Sequence, residues 1–288
     1  MSRIAYVNGR YVPHREAAVH VEDRGYQFSD GVYEVVLIRH GKMVDEAPHL
    51  VRLERSLGEL QIKTPMSNAA LRQVMAEVVR RNRITGNGLI YMQVTRGVAK
   101  RDHAFPANPQ TSVVMTAKRL PEPSRTGVED GVKAITIPDI RWERCDIKTV
   151  GLLASVLGKQ QAREAGAYEA LQVDSEGFVT EGTSSNAWIV TADGDLVTRR
   201  ANNAILNGIT RLTVLKLAER AGIRFVERPF TVEEAKGARE AFVTSATSLV
   251  KPVTQIDDTV IANGKAGGLS LQLFDAYLDY MTTDEARA

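Results

Sequence analysis

One cysteine, Cys145, is all that the 288 residues contain. It closes no internal disulfide, and a zinc site built on thiolates lacks its ligands. Charge of one sign is equally scarce: 37 Lys and Arg stand against 35 Asp and Glu, a formal balance of +2. Such a chain has no broad field with which to draw nucleic acid or an acidic membrane surface. Long apolar runs are missing as well. Stretches such as 89–94 fall far short of the roughly 20 residues that a membrane helix needs, and the opening MSRIAYVNGRYVPHRE lacks the apolar core of a signal peptide. The expectation is a cytoplasmic protein that engages neither nucleic acid nor membrane. The five histidines, His14, His20, His40, His49 and His103, never form a helical HExxH pair, so no metal is expected and most of them read as surface or packing residues. The GxSxG elbow, the GxxxxGK[ST] phosphate loop and the strand-GxGxxG-helix unit are absent too. Hydrolase, NTPase and dehydrogenase readings lose their simplest support.

What is present is an ordinary globular composition, 43% hydrophobic and 25% charged, long enough for two domains at about 150 residues each. Asn8-Gly9 between apolar flanks signals a type I′ hairpin, and a second hairpin turns near Gly41. Two helical stripes follow, Leu50, Leu53, Leu57 and Leu60 in one, Leu71, Val74, Met75, Val78 and Val79 in the other, with Ser67 or Asn68 as N-cap of the second. GLIYMQVTRG and TSVVMTAK read as strands. KRLPEPSRTGVEDG then concentrates Pro, Gly, Ser and charge without periodicity. This places a linker at 119–131 between a smaller domain, 1–118, and a larger one, 132–288. Beyond it VKAITIPDI reads as a strand, and VGLLASVLGKQQAREAG as a helix with Leu152, Leu153, Val156 and Leu157 facing inward and Gly166 ending it. Strand pairs turning at Glu-Gly and Asp-Gly follow, then a helix ending near Gly222. Intermixed strands and helices make the class α+β.

Two features carry chemistry. In ILNGITRLTVLKLAERAG, Gly208 precedes Ile209 and Thr210 where the helical period begins. A helix start offers unpaired N–H groups, partial positive charge and here a hydroxyl, all suited to a phosphate, although Asn-Gly before a helix is equally a turn and cap. Lys148 follows a strand and precedes an apolar helix. A lysine held between rigid elements can be desolvated into a nucleophile for carbonyls, although a solvated loop lysine fits the same pattern. Cys145, three residues away, reads as a small buried filler.

Seven segments taken together resemble the fold-type IV pyridoxal-phosphate enzymes, and among them the bacterial D-amino-acid aminotransferases. They are DRGYQFSDGVYEVV at 23–36, HLVRL at 49–53, VTRGVAKRDHAFP at 94–106, RWERCDIK at 141–148, TEGTSSN at 180–186, ANNAILNGITR at 201–211 and FVTSATS at 242–248. The resemblance implies two α/β domains with pyridoxal 5′-phosphate in the cleft between them. It makes Lys148 the amine that forms the Schiff base and afterwards shuttles the proton. It makes Glu181 the carboxylate beside the pyridine nitrogen, which keeps the ring an electron sink. Arg52, Gly208, Ile209, Thr210 and Ser245 become phosphate neighbours, and Leu206 packs against the ring. Ala246 stands where these enzymes often have threonine, so a hydroxyl is missing there and the backbone N–H remains. Tyr33, Arg101 and His103 match the trap for the substrate carboxylate, whose two halves in the family come from different subunits of a homodimer. The implied reaction is ping-pong transfer from D-amino acids such as D-alanine to a 2-oxo acid such as 2-oxoglutarate. A branched-chain L-amino-acid aminotransferase, an (R)-selective amine transaminase and aminodeoxychorismate lyase share the scaffold.

Overall fold

A computed structural model describes residues 3–287. By packing, the chain forms two units: Met1–Glu122 with Ile147–Gly151 and Met281–Ala288, and Pro123–Asp146 with Leu152–Tyr280.

The first unit contains β1 (Ile4–Val7), β2 (Arg10–Pro13), α1 (Arg24–Phe28), β3 (Gly31–Arg39), β4 (Lys42–Met43), α2 (Glu46–Glu59), α3 (Asn68–Arg81), β5 (Gly88–Thr95) and β6 (Ser112–Arg119). Its strands form one sheet in the order β2-β1-β6-β5-β3-β4, and every neighbouring pair is antiparallel. The first hairpin is set by Asn8 and Gly9, both at positive φ (45° and 90°), as a type I′ turn requires. Strand β3 buries alternate residues, Val32, Glu34, Val36 and Ile38, against the helices. Helix α2 turns Leu50, Leu53 and Leu57 into the same core, and α3, capped by Ser67 accepting from the Ala70 N–H at 3.3 Å, turns in Leu71, Met75, Val78 and Val79. Both stripes are those expected from periodicity, and of the two candidate caps Ser67 is the one used.

The second unit begins with α4 (Thr126–Glu129), a short helix inside the segment read as linker, and β7 (Val132–Pro138). It continues through α5 (Leu153–Glu164), β8 (Glu169–Val173), β9 (Val179–Gly182), β10 (Asn186–Val190), β11 (Leu196–Thr198), α6 (Ile209–Arg220) and β12 (Phe225–Glu227). It closes with α7 (Val232–Lys236), β13 (Glu240–Ser245), β14 (Leu249–Ile256), β15 (Thr259–Val260) and α8 (Gly268–Tyr280). The sheet order is β12-β11-β10-β13-β14-β7-β8-β9, with β15 beside β14. Strands β7 and β8 are parallel neighbours, a pairing that needs a crossover, and α5 lies in that connection. The mixture is the α+β class expected.

Helix α5 corrects one reading. Leu153, Val156 and Leu157 are 72%, 59% and 49% exposed, and Leu152 precedes the helix and is exposed as well. The buried face belongs to Gly158 and Ala162. A Cβ on Gly158 would lie 2.4 Å from Cδ1 of Ile137, so only the small-residue side of α5 fits against β7. Large apolar residues at helical spacing were the stronger pattern, but close approach to a sheet selects for small ones.

Candidate active site

In the first unit, residues 147–151 run along β3. The Tyr33 N–H donates to the Lys148 carbonyl and the Val150 N–H to the Gly31 carbonyl, both at 3.0 Å, while Ile147 is buried in the core. Lys148 is therefore fixed at its backbone on both sides. Its side chain is half-buried, with Nζ 4.3 Å from the centroid of the Tyr33 ring, a cation–π distance that keeps the amine localised.

Arg52 lies on α2 one turn after His49, and both reach Glu34 on β3. Arg52 Nε donates to Glu34 Oε1 at 2.8 Å and Nη2 to Oε2 at 2.7 Å, a bidentate fork. His49 Nδ1 lies 2.6 Å from Oε2. Burial works to raise the Glu34 carboxyl, but the Arg52 charge and the bonds from Arg52 and His49 outweigh it and hold it at about 2. Burial lowers the His49 imidazole, since a charged ring there would lose its water. Glu34 and His49 are partners of Arg52 that motif matching left unassigned, and His49 is buried and hydrogen-bonded rather than on the surface. A signal for Glu34 existed: it occupies a core-facing position in an otherwise apolar alternation.

The three residues read as a carboxylate trap are only partly brought together. Arg101 and His103 gather at one ring, Phe28: the Arg101 guanidinium lies 5.0 Å from its centroid and the His103 ring 5.4 Å. Tyr33 instead stacks on Tyr91, with centroids 5.6 Å apart. The first unit also holds a cavity of about 310 Å³ bounded by Asp23, Tyr26, Gln93 and Val150 among others; none of the site residues read from the sequence borders it.

In the second unit, Glu181 on β9 is buried and accepts from Arg141, Asn186 and the Leu206 backbone. Arg141 Nη1 donates to Oε1. Asn186 Nδ2 and the Leu206 N–H both donate to Oε2 at 3.1 Å. Arg141 is itself clamped by Asp139 through Nε at 2.9 Å and Nη2 at 2.6 Å. Burial works against the charged guanidinium, yet Asp139 and Glu181 raise its pKa and lock it cationic. The Glu181 carboxylate is thus held in place by donors on both of its oxygens.

The Asn186 amide also donates to the Leu206 carbonyl at 2.8 Å, tying 206–208 to β10. Gly208 is the N-cap of α6 without a side-chain cap bond. The N–H groups of Ile209 and Thr210 open the helix, and both residues are buried. A Cβ on Gly208 would sit 2.2 Å from Asn186 Oδ1. Ser245 ends β13, and its Oγ pairs with Ser248 Oγ at 2.7 Å across a turn that contains Ala246. The TEGTSSN segment is held from below by Glu169, nearly fully buried. It accepts from Thr183 Oγ1 and, at 2.8 Å, from Ser185 Oγ. Cys145 is half-buried, donates Sγ–H to the Trp142 carbonyl at 3.0 Å, and has its thiol pushed up to about 11 by burial.

Each group, within its own unit, suits one part of pyridoxal phosphate: a lysine fixed at its backbone, a buried carboxylate with donors on both oxygens, and a helix start with no room for a side chain at its cap. The family described as amino-transferase class IV matches residues 31–256. D-alanine aminotransferase of Bacillus licheniformis is 42% identical over 97% of this chain and 98% of its own. That of Listeria monocytogenes (strain 10403S) is 41% identical over 96% and 95%. Among solved structures, the T.th. branched-chain amino acid aminotransferase with pyridoxamine 5′-phosphate superposes with a TM-score of 0.88 at 28% identity, covering 97% of this chain and 94% of that one. The branched-chain aminotransferase of Thermoproteus uzoniensis with norvaline gives 0.87 at 26% identity over 98% of each. The chain belongs to the class IV aminotransferases. It is a pyridoxal-phosphate-dependent transferase of amino groups with the type IV fold.

Proposed function

We propose that the protein moves the amino group of D-amino acids such as D-alanine to a 2-oxo acid such as 2-oxoglutarate, in a ping-pong cycle. The similarity to D-alanine aminotransferases over nearly the whole chain carries this reading, together with the Arg101-x-His103 pair, whose side chains meet at Phe28. The solved branched-chain relatives share the fold at lower identity.

Bound pyridoxal phosphate supplies the electron sink that loosens the bonds at the substrate α-carbon. Lys148 would hold the cofactor through its Nζ, and its free amine would carry the proton at the substrate α-carbon. Glu181, anchored by Arg141, Asn186 and the Leu206 N–H, would keep the ring nitrogen protonated. Arg52 and the N–H groups of Ile209 and Thr210 would take the phosphate, helped by Ser245 and the Ala246 N–H, and Leu206 would pack on the ring. The Arg101 fork, with His103 and Tyr33, binds the substrate carboxylate and so chooses which face of the α-carbon is presented.

Tyr33 and the Arg101–His103 pair pack on different rings within the chain, which favours a homodimer in which they serve the trap from separate subunits. The exposed Leu153, Val156 and Leu157 offer apolar surface of the kind that subunit contacts cover. Among the described residues no helix is long and apolar enough to cross a membrane, and a lone reduced thiol suits the cytoplasm, where we place the enzyme.

The test is to supply D-alanine, L-leucine or a chiral amine, each with 2-oxoglutarate, and follow glutamate formation. Transfer from D-alanine is expected, and Lys148→Ala abolishes it. Transfer from L-leucine but not from D-alanine overturns the substrate assignment while leaving the cofactor chemistry standing.

A further inference from the structure

Arg24 lies at the start of α1, with its side chain 4% exposed, yet most of its donors point not at an acid but at a stretch of open backbone. Nη1 donates to the carbonyls of Asp102 and Ala104, at 2.5 and 3.3 Å, and Nη2 to that of His103, at 3.2 Å. Three consecutive carbonyls therefore converge on one guanidinium. Residues 101–105 are exposed and have no strand or helix of their own. Their carbonyls have no ladder in which to pair, and the rigid fan of arginine donors replaces one.

The fan is itself locked. Arg24 Nε donates to Asp30 Oδ2 at 2.8 Å. The same carboxylate takes Arg96, whose Nε reaches Oδ2 at 2.7 Å and whose Nη2 reaches Oδ1 at 2.9 Å. Arg96 also donates to the carbonyls of Leu60 and Gln61, at 2.7 and 2.9 Å, and its guanidinium lies 3.6 Å from the centroid of the Phe105 ring. The loop is thus held at two points, by hydrogen bonds to 102–104 and by a ring at 105, and Asp30 joins the two arginines. Phe28 follows one turn after Arg24 on α1, and on its ring Arg101 and His103 settle.

We propose that Arg24 is a positioning residue for substrate recognition: by fixing the 102–104 backbone it sets where the Arg101 and His103 side chains stand, and so the affinity for the substrate carboxylate. The inference rests on the reading of Arg101 and His103 as the carboxylate trap. A fork that must meet both carboxylate oxygens tolerates little displacement, and a shift of about 1 Å costs on the order of a hundredfold. Arg24 touches no reacting atom, so its loss acts on binding of carboxylates and not on the proton transfers at Lys148.

The experiment compares Arg24→Met and Arg101→Ala with the parent, as enzymes loaded with pyridoxal phosphate. KM is measured for D-alanine and for 2-oxoglutarate, and the absorbance of the bound cofactor is recorded before and after methylamine, an amine that carries no carboxylate. Arg24→Met is expected to raise both KM values about tenfold or more, with kcat within about threefold and the methylamine response of the parent. A KM within twofold of the parent, while Arg101→Ala raises it tenfold, overturns the role of Arg24 and leaves the trap in place. An unchanged KM in Arg101→Ala removes the trap and this inference with it. Should Arg24→Met fail to fold, Phe105→Ala at the exposed second anchor gives the decision: a KM rise of about threefold confined to the carboxylate substrates supports the two-point anchor, and an unchanged KM refutes it.

Discussion

Replacing Gly208 by alanine probes the coupling between the α6 start and Glu181 in a single methyl group. Gly208 has φ −65° and ψ 138°, a conformation alanine adopts freely. On backbone grounds alone the substitution stabilises by about 0.4–1 kcal/mol, since it narrows the unfolded ensemble. Against this, the new Cβ lies 2.2 Å from Asn186 Oδ1. Asn186 has no slack, because it is buried and its amide donates to both Glu181 Oε2 and the Leu206 carbonyl. Overpacking of this kind costs about 1–3 kcal/mol, and loosening a bond to a buried carboxylate costs about 1.5–3 kcal/mol when complete. The net expectation is a loss of about 2 kcal/mol in urea unfolding and about tenfold weaker retention of pyridoxal phosphate. The cycle with Asn186→Ala isolates the cause. With Oδ1 gone the methyl group has room, and Gly208→Ala then becomes neutral or slightly stabilising, a coupling of about 2 kcal/mol between the two sites. Equal effects of Gly208→Ala in both backgrounds, or a more stable single variant, would refute the claim that the glycine is there to admit Asn186.

Two further predictions concern ionisation. Glu34, at about 2 against an ordinary 4.5, contributes stability that is complete above pH 4.5 and is lost as pH falls through 2. The shift corresponds to about 3 kcal/mol. The lowered His49 acts in the same direction, because the folded protein resists its protonation below the ordinary 6.5. Glu34→Gln should therefore lower stability at neutral pH and flatten the acid limb of a stability–pH curve; an acid limb parallel to that of the parent rejects the assignment. Cys145, with its thiol near 11, should react with iodoacetamide at pH 8 about a hundredfold more slowly in the folded protein than in urea. Equal rates would mean that the thiol is not desolvated.

Lys148 shows how local a legible feature can be. The sequence placed it after a strand and before a helix, and that connection is what the structure contains. Its fixing by Tyr33 and Val150, and the return of 147–151 to the first unit, came from pairing with β3, more than a hundred residues earlier. The start of α6 after Gly208 was likewise readable, because helix starts depend on adjacent residues. The Glu34–His49–Arg52 group was half-readable. A charge at a core-facing strand position announces a buried partner, but which arginine answers it is a matter of how α2 lies on the sheet.

What the sequence determined by itself is whatever rests on neighbours in the chain: the type I′ turn at Asn8-Gly9, the stripes of α2 and α3, and a cap for α3 at Ser67 or Asn68. What only the tertiary structure decided is which surfaces meet. Period alone turned Leu153, Val156 and Leu157 inward, whereas close approach to β7 admitted only the Gly158 and Ala162 side. Arg24 looked like one charge among 37 until the fold set its donors under the carbonyls of 102–104. Periodicity and propensity act within a few residues, but a guanidinium and the backbone it supports, 78 positions apart, find each other only when the chain has folded.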